Sequence, residues 1–473
     1  MWKISFTLLI LLNSVIGGML FWQWNAYSES KSIAKAEEIE SATQEISVKS
    51  KGNAIAVTQL ITGLKSDKEY RISMPDTISD WECVKADGAP CDSVDENPTS
   101  FLADHHSLTI RYNIELNHTP FLLNSWTAAL LDVEMKKTSI EVIDSSRRDG
   151  TWVAGLPLKG HNKLEFIDYY YFEGNGTSAS LYWQSQSMNH VKGGQGIYLY
   201  SEENMEENSF SFDSLKRLPD FKGLSVVYTE AFTETNGNGL MITKPSIKKE
   251  LLERKIIYNY FLDKSRDLPL EERWLIDVLT SLMTGQESNV QKGNEFLAEL
   301  KKQLSEEELS KFLDLVFMES SLTPERLDEL LGSLAGKSTH FFALNKNEET
   351  KLIPLYYTDK RKIMIQNKLY KDHEVLLIED KKYYPFVETL EALGFEVKLL
   401  ADNETILLNK ENNSYRFFIN QNIFIYNEED YGLLENPLNR INGKVYVEGN
   451  WLNTIFKIHL EETEKEIKLS IDY

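Results

Sequence analysis

The hydrophobic pattern divides the chain into five stretches of different character. Between Ile4 and Trp24 no residue is charged (ISFTLLILLNSVIGGMLFWQW). About 20 apolar residues in helical conformation cross the roughly 30 Å core of a bilayer. Lys3 precedes the run, and Trp22 and Trp24 stand where an interfacial aromatic belt belongs. Residues 1–24 therefore read as a short cytoplasmic tail and transmembrane anchor. A cleavable signal peptide is the competing reading, with Ala26-Tyr27-Ser28 as a small-x-small site. Either way the rest of the chain is delivered outside the cytoplasm.

Residues 25–51 are rich in Ser, Lys, Glu and Ala, with few apolar side chains, and read as a polar linker. From 52 to 245 short runs of β-formers follow one another, among them SLTIRYNIEL (107–116), TSIEVID (138–144), KLEFIDYYYFEG (163–174) and GLSVVYTEAF (223–232). Turn signals such as Arg148-Asp149-Gly150 and Asn236-Gly237-Asn238-Gly239 separate them, which predicts a β-rich domain.

From 246 to 337 apolar residues recur at helical spacing, as in Leu309, Phe312, Leu313, Val316 and Phe317. Ser305 with Glu308 forms a capping box, Thr323-Pro324 opens a helix and Gly336 ends one. An α-helical bundle domain is predicted. Residues 338–473 return to mixed helix and strand.

Composition narrows the partners. The 473 residues carry a net charge of −22, which argues against nucleic acid as a partner, because phosphate binding needs a basic surface. Cys83 and Cys91 are the two cysteines, in WECVKADGAPCDSV. A close pair in an exported domain predicts a disulfide across the Gly88-Ala89-Pro90 turn, with two free thiols as the alternative.

Candidate chemistry is sparse. Asp104, His105, His106 and His118 form the densest histidine cluster, as either a metal site or a solvated loop. His161 with Asp168 is a conceivable acid–base pair. Asp87, Asp92, Asp95 and Glu96 are close together but lack the regular oxygen spacing of a calcium loop. The aromatic run Tyr169 to Phe172, with Tyr182 and Trp183, suits either sugar stacking or a sheet core. No serine-elbow, phosphate-loop or dinucleotide motif is present. No catalytic, metal or cofactor-binding residue is assigned, and no cofactor is implied.

Residues 383–397, YYPFVETLEALGFEV, carry a strand–helix–strand pattern with Pro385 opening a short helix and Leu393-Gly394 closing it. This resembles the copper amine oxidase N-terminal-like, or stalk, domain of exported bacterial proteins. A second, degenerate copy spans YVEGNWLNTIFKI (446–458), with Glu448 in place of proline and Lys457 in place of glycine. The resemblance implies a small α+β module over 338–473. It implies no copper and no catalytic residue.

The order of a β region and then helices over 52–337 is similar to the layout of gluzincin-type zinc peptidases. The H-E-x-x-H that holds their zinc is missing.

The expected fold class is multidomain: an N-terminal transmembrane helix, a β-rich domain, an α-helical bundle and a C-terminal α+β stalk-like domain. The expected function is a membrane-anchored extracytoplasmic binding or scaffold protein of the bacterial surface. Its partners would be the membrane, through the first helix, and a cell-wall polymer or envelope protein. The alternative is an exported hydrolase, peptidase-like or glycan-directed.

Overall fold

The computed structural model describes residues 40–471 except 67, 95–98, 177–178, 206–211, 220, 222, 372 and 380. Two compact units divide the chain. Residues up to 212 together with 220–247 make one; 213–219 with 248–473 make the other.

The first unit is built on a seven-stranded sheet. Its strands run in the order Leu158–Lys163, Asp168–Asn175, Val133–Asp144, Glu40–Lys51, Ala54–Thr62, Ser107–Glu115 and Trp81–Val84. Every neighbouring pair is antiparallel except Glu40–Lys51 with Val133–Asp144, which is parallel. Alternate side chains turn inward, as the pleat demands: Ile46 and Val48, Ile55 and Val57, Ile140 and Val142 are all buried. Trp126, Trp152 and Phe172 complete this core. A five-stranded mixed sheet, Asn189–Lys192, Ile197–Ser201, Leu224–Tyr228, Leu240–Thr243 and Thr235–Gly237, belongs to the same unit.

Residues 40–51, expected inside the polar linker, are thus a middle strand of the main sheet. Their inward positions include Gln44 and Ser50, so the apolar alternation is broken in sequence. Gln44 is satisfied inside. Its Oε1 accepts from Gln59 Nε2 at 2.7 Å, and its Nε2 donates to Thr138 Oγ1 at 2.9 Å. Gln59 also exchanges hydrogen bonds with the backbone of Ala128, both at 2.9 Å.

The second unit opens with helices α1 (Lys249–Lys264), α2 (Trp274–Thr284), α3 (Gln291–Gln303), α4 (Glu306–Met318), α5 (Pro324–Ala335) and the short α6 (Phe341–Asn345). The Ser305–Glu308 capping box starts α4, and the Thr323 side chain caps α5. Arg254 and Asp277 tie α1 to α2 through a buried 2.6 Å ion pair. The Asp277 carboxylate also accepts from Ser288 Oγ and from Asn289 N and Nδ2, so its lone pairs are spent on holding the fold.

Three small sheets follow, with α7 (Phe386–Ala392) and α8 (Gly449–Phe456) packed among them. Phe456 meets the rings of Phe386, Phe395, Tyr415 and Phe417 at centroid distances of 5.1–6.1 Å.

The expected fold class is corrected on two counts. The described chain is β-rich with few helices, and among the described residues no helix is long and apolar enough to cross a membrane. The segment Ile4 to Trp24, on which the anchor was expected, lies outside the described residues.

Nor do the helices close a bundle of their own. Phe296 of α3 stacks on Phe341 at 4.1 Å. Glu299 accepts from the Leu355 backbone N–H at 3.0 Å, and Gln303 Nε2 donates to the Leu355 carbonyl. Asp328 of α5 accepts from the backbone N–H groups of Phe342 and Ala343. The helices spend their inner faces and polar groups on the segment that leads into the C-terminal sheets, and both belong to one unit.

Candidate functional site

Cys83 and Cys91 are joined by a disulfide. Strand Trp81–Val84 delivers Cys83, and the chain returns through a turn in which Gly88 takes φ +86°. The Lys85 N–H donates to the Ala89 carbonyl at 2.7 Å, and the Cys91 N–H to the Cys83 carbonyl at 3.0 Å. This backbone ladder holds the two Cα atoms 5.3 Å apart, within reach of a disulfide. Asp87 caps the turn by accepting from the Ala89 N–H, and Asp92 pairs with Lys85 at 2.9 Å. Both carboxylates serve the hairpin; Asp95 and Glu96 lie outside the described residues.

The histidine cluster resolves into a hairpin tip. Asp104 and Ser107 exchange backbone hydrogen bonds at 2.9 Å, and His105 and His106 between them adopt φ of 45° and 66°. His106 Nδ1 is 2.8 Å from the Leu64 carbonyl, while the His105 side chain is 92% exposed. His118 is exposed in a separate loop. Among the described residues, no three potential metal-ligating side chains gather at one point.

His161 lies flat on Tyr170, centroids 4.1 Å apart, and burial lowers its pKa against the opposing pull of Asp168. Asp168 turns to Arg148 at 3.3 Å and to Lys163 at 3.9 Å. The structure therefore makes His161 a packing residue and Asp168 an anchor for cations. The aromatic run fills the core: Tyr170, Phe172, Tyr182 and Trp183 are buried. Tyr169 and Tyr171 are half-buried, and the Tyr171 hydroxyl donates to Glu173.

The motif residues near the C-terminus work as a helix frame. Pro385 ends strand Lys381–Pro385 and caps α7, Leu393 is buried behind it, and Gly394 takes φ +86° at the helix exit. In the second copy Lys457 adopts φ +55° at the exit of α8, the geometry that glycine holds in the first.

The same region carries an open cleft of about 550 Å³. Residues 358–361, the start of strand Lys362–Ile365, its hairpin partner Lys368–Tyr370 and then Lys371, His373 and Glu374 form most of its wall, and Lys444 reaches it from strand Lys444–Glu448. Among the described residues, five cationic side chains line it, Lys360, Arg361, Lys362, Lys371 and Lys444, against two carboxylates, Asp359 and Glu374.

Arg361 is rigidly held. Its guanidinium forks onto Asp359 at 2.6–3.1 Å, and it donates to Glu462 and to the Thr463 carbonyl at 2.9 Å. Burial alone would raise the Asp359 carboxyl; the Arg361 hydrogen bonds outweigh it and keep Asp359 below its ordinary pKa. The four lysines are exposed, and none forms a salt bridge with a described residue. His373 stands edge-on to Tyr370 at 4.8 Å. Its Nε2 is buried with no hydrogen-bond partner among the described residues.

Residues 363–471 match the copper amine oxidase N-terminal domain family. The match covers the cleft's hairpin and both helix frames. His373 of this domain packs on Tyr370, and His459 sits on strand Ile458–Glu462 opposite Ser470.

Among solved structures, a mutant M1 zinc metallopeptidase from Deinococcus radiodurans is similar at 11% identity. The match covers 67% of this chain and 95% of that one, with a TM-score of 0.43, and its complex with a Tyr-Ser-Ala substrate gives the same values. The unmutated enzyme matches over 63% and 90% with a TM-score of 0.40. A search of curated protein sequences finds no match.

Sequence reading found the disulfide and the helix frame because each is written in neighbouring residues. It missed the cleft, whose cations come from three separated stretches. The one local signal was Lys360-Arg361-Lys362, a basic triplet in an acidic chain.

Proposed function

We propose that this protein is an extracytoplasmic binding or scaffold protein of the bacterial envelope, with its C-terminal copper amine oxidase N-terminal domain as a contact module. The observation that carries the reading is the Cys83–Cys91 disulfide in the same chain as a domain of this type. Structural disulfides persist in oxidising, extracytoplasmic compartments and are rare in the cytosol. The acidic chain suits a solvated outer surface. The polar cleft of the C-terminal domain supplies a surface for a partner.

Two measurements test it. A reporter fused after Tyr473 is expected to face outward, with Cys83 and Cys91 resisting thiol labelling until reduced. The purified full chain is expected to be retained on isolated cell-wall and envelope material. An inward-facing reporter, or no retention, would refute the proposal. Stoichiometric zinc together with peptide turnover by the purified chain would replace it with the hydrolase reading.

A further inference from the structure

We infer that the cleft bordered by Lys360, Lys362, Lys371 and Lys444 is a binding site for an anionic envelope polymer, gripping phosphate or carboxylate groups repeated along the strand. The inference rests on the envelope-binding reading and names the ligand chemistry of its contact module.

Charge is the first argument. The chain as a whole is −22, yet the described residues lining this cleft bring five cations against two carboxylates. Asp359 and Arg361 neutralise each other, which leaves four lysines and Glu374 among the described lining residues.

The pairing pattern is the second argument. Several lysines elsewhere in the unit meet carboxylates: Lys302 with Glu379, Lys381 with Glu448, Lys382 with Glu462 and Lys468 with Glu466. The four cleft lysines have no such partner among the described residues. Like charges clustered without counter-ions repel one another, and a bound polyanion would relieve that repulsion.

The third argument is His373 in the wall, whose Nε2 is buried without a hydrogen-bond partner among the described residues; a ligand oxygen that reached it would supply the missing bond. An open cleft of about 550 Å³ suits a chain that passes through, with Arg361 held fixed in its wall.

The test uses the full chain and three soluble polymers: poly(glycerol phosphate), polygalacturonate and neutral dextran. The wild type is expected to bind one or both polyanions, to lose affinity as salt rises, and to ignore dextran. Which polyanion binds more tightly identifies phosphate or carboxylate as the group gripped. Replacing the four lysines (Lys360→Ala, Lys362→Ala, Lys371→Ala and Lys444→Ala together) is expected to weaken binding about tenfold or more. His373→Ala is expected to weaken it about threefold.

A control replacing Lys49, Lys51, Lys159 and Lys192 removes the same charge from exposed positions of the other unit and should leave binding near wild type. Equal loss in both quadruple variants would overturn the site, since net charge alone would then explain the binding. So would wild-type affinity in the cleft variant, or binding that ignores salt. If the wild type binds neither polyanion but is retained on crude envelope material, this inference fails and the envelope reading stands. If it is retained on nothing, both fail.

Discussion

At the scale of single residues, the polar core of the main sheet sets the sharpest expectation. Gln59 is fully buried and satisfies the Gln44 side chain and both backbone groups of Ala128. Gln59→Leu keeps the volume and strands those partners, which should cost about 3 kcal/mol in urea unfolding. The same residues explain an error of reading. Gln44 and Ser50 occupy inward positions, so a strand looked like a solvated stalk. Its partners Gln59 and Thr138 are distant in sequence, and nothing local announces that a glutamine will be paired inside.

Among elements, the helices were legible and their allegiance was not. Capping residues and apolar spacing are local, so α4 and α5 could be placed from Ser305, Glu308, Thr323 and Pro324. That α3 and α5 pack on the 338–358 segment depends on Phe341, Leu355 and Asp328, which carry no periodic signal. Asp328 turns this joint into a titratable one. Burial pushes its carboxyl up to about 7, against two backbone N–H groups that pull it down. Unfolded, it titrates near ~3.9, so between those values the folded chain holds more protons and stability should fall as pH rises. Urea midpoints at pH 5 and pH 8 check this, and Asp328→Asn should flatten that part of the dependence.

The exits of α7 and α8 make a second comparison. Gly394 suits its positive φ, whereas Lys457 holds a left-handed conformation that L side chains resist. Lys457→Gly should therefore stabilise the domain by up to about 1 kcal/mol, read from its thermal unfolding.

For the molecule as a whole, the C-terminal family domain was readable from Pro385, Leu393 and Gly394, while the cleft it carries was not, because convergence of Lys360, Lys371 and Lys444 exists only after folding. The disulfide spans eight positions of sequence, and by loop-closure entropy its removal should cost about 2.6 kcal/mol. Replacing Cys83 and Cys91 by serine should lower the unfolding midpoint accordingly, and reductant should then have no further effect.

The parallel pairing of Glu40–Lys51 with Val133–Asp144 has a consequence for biogenesis. The early hairpin of 40–51 with 54–62 can zip as soon as it emerges, but the outer edge of 40–51 stays bare until about eighty more residues have arrived. A bare strand border invites pairing with other chains, so a holdase that shields strand edges would suit the nascent chain.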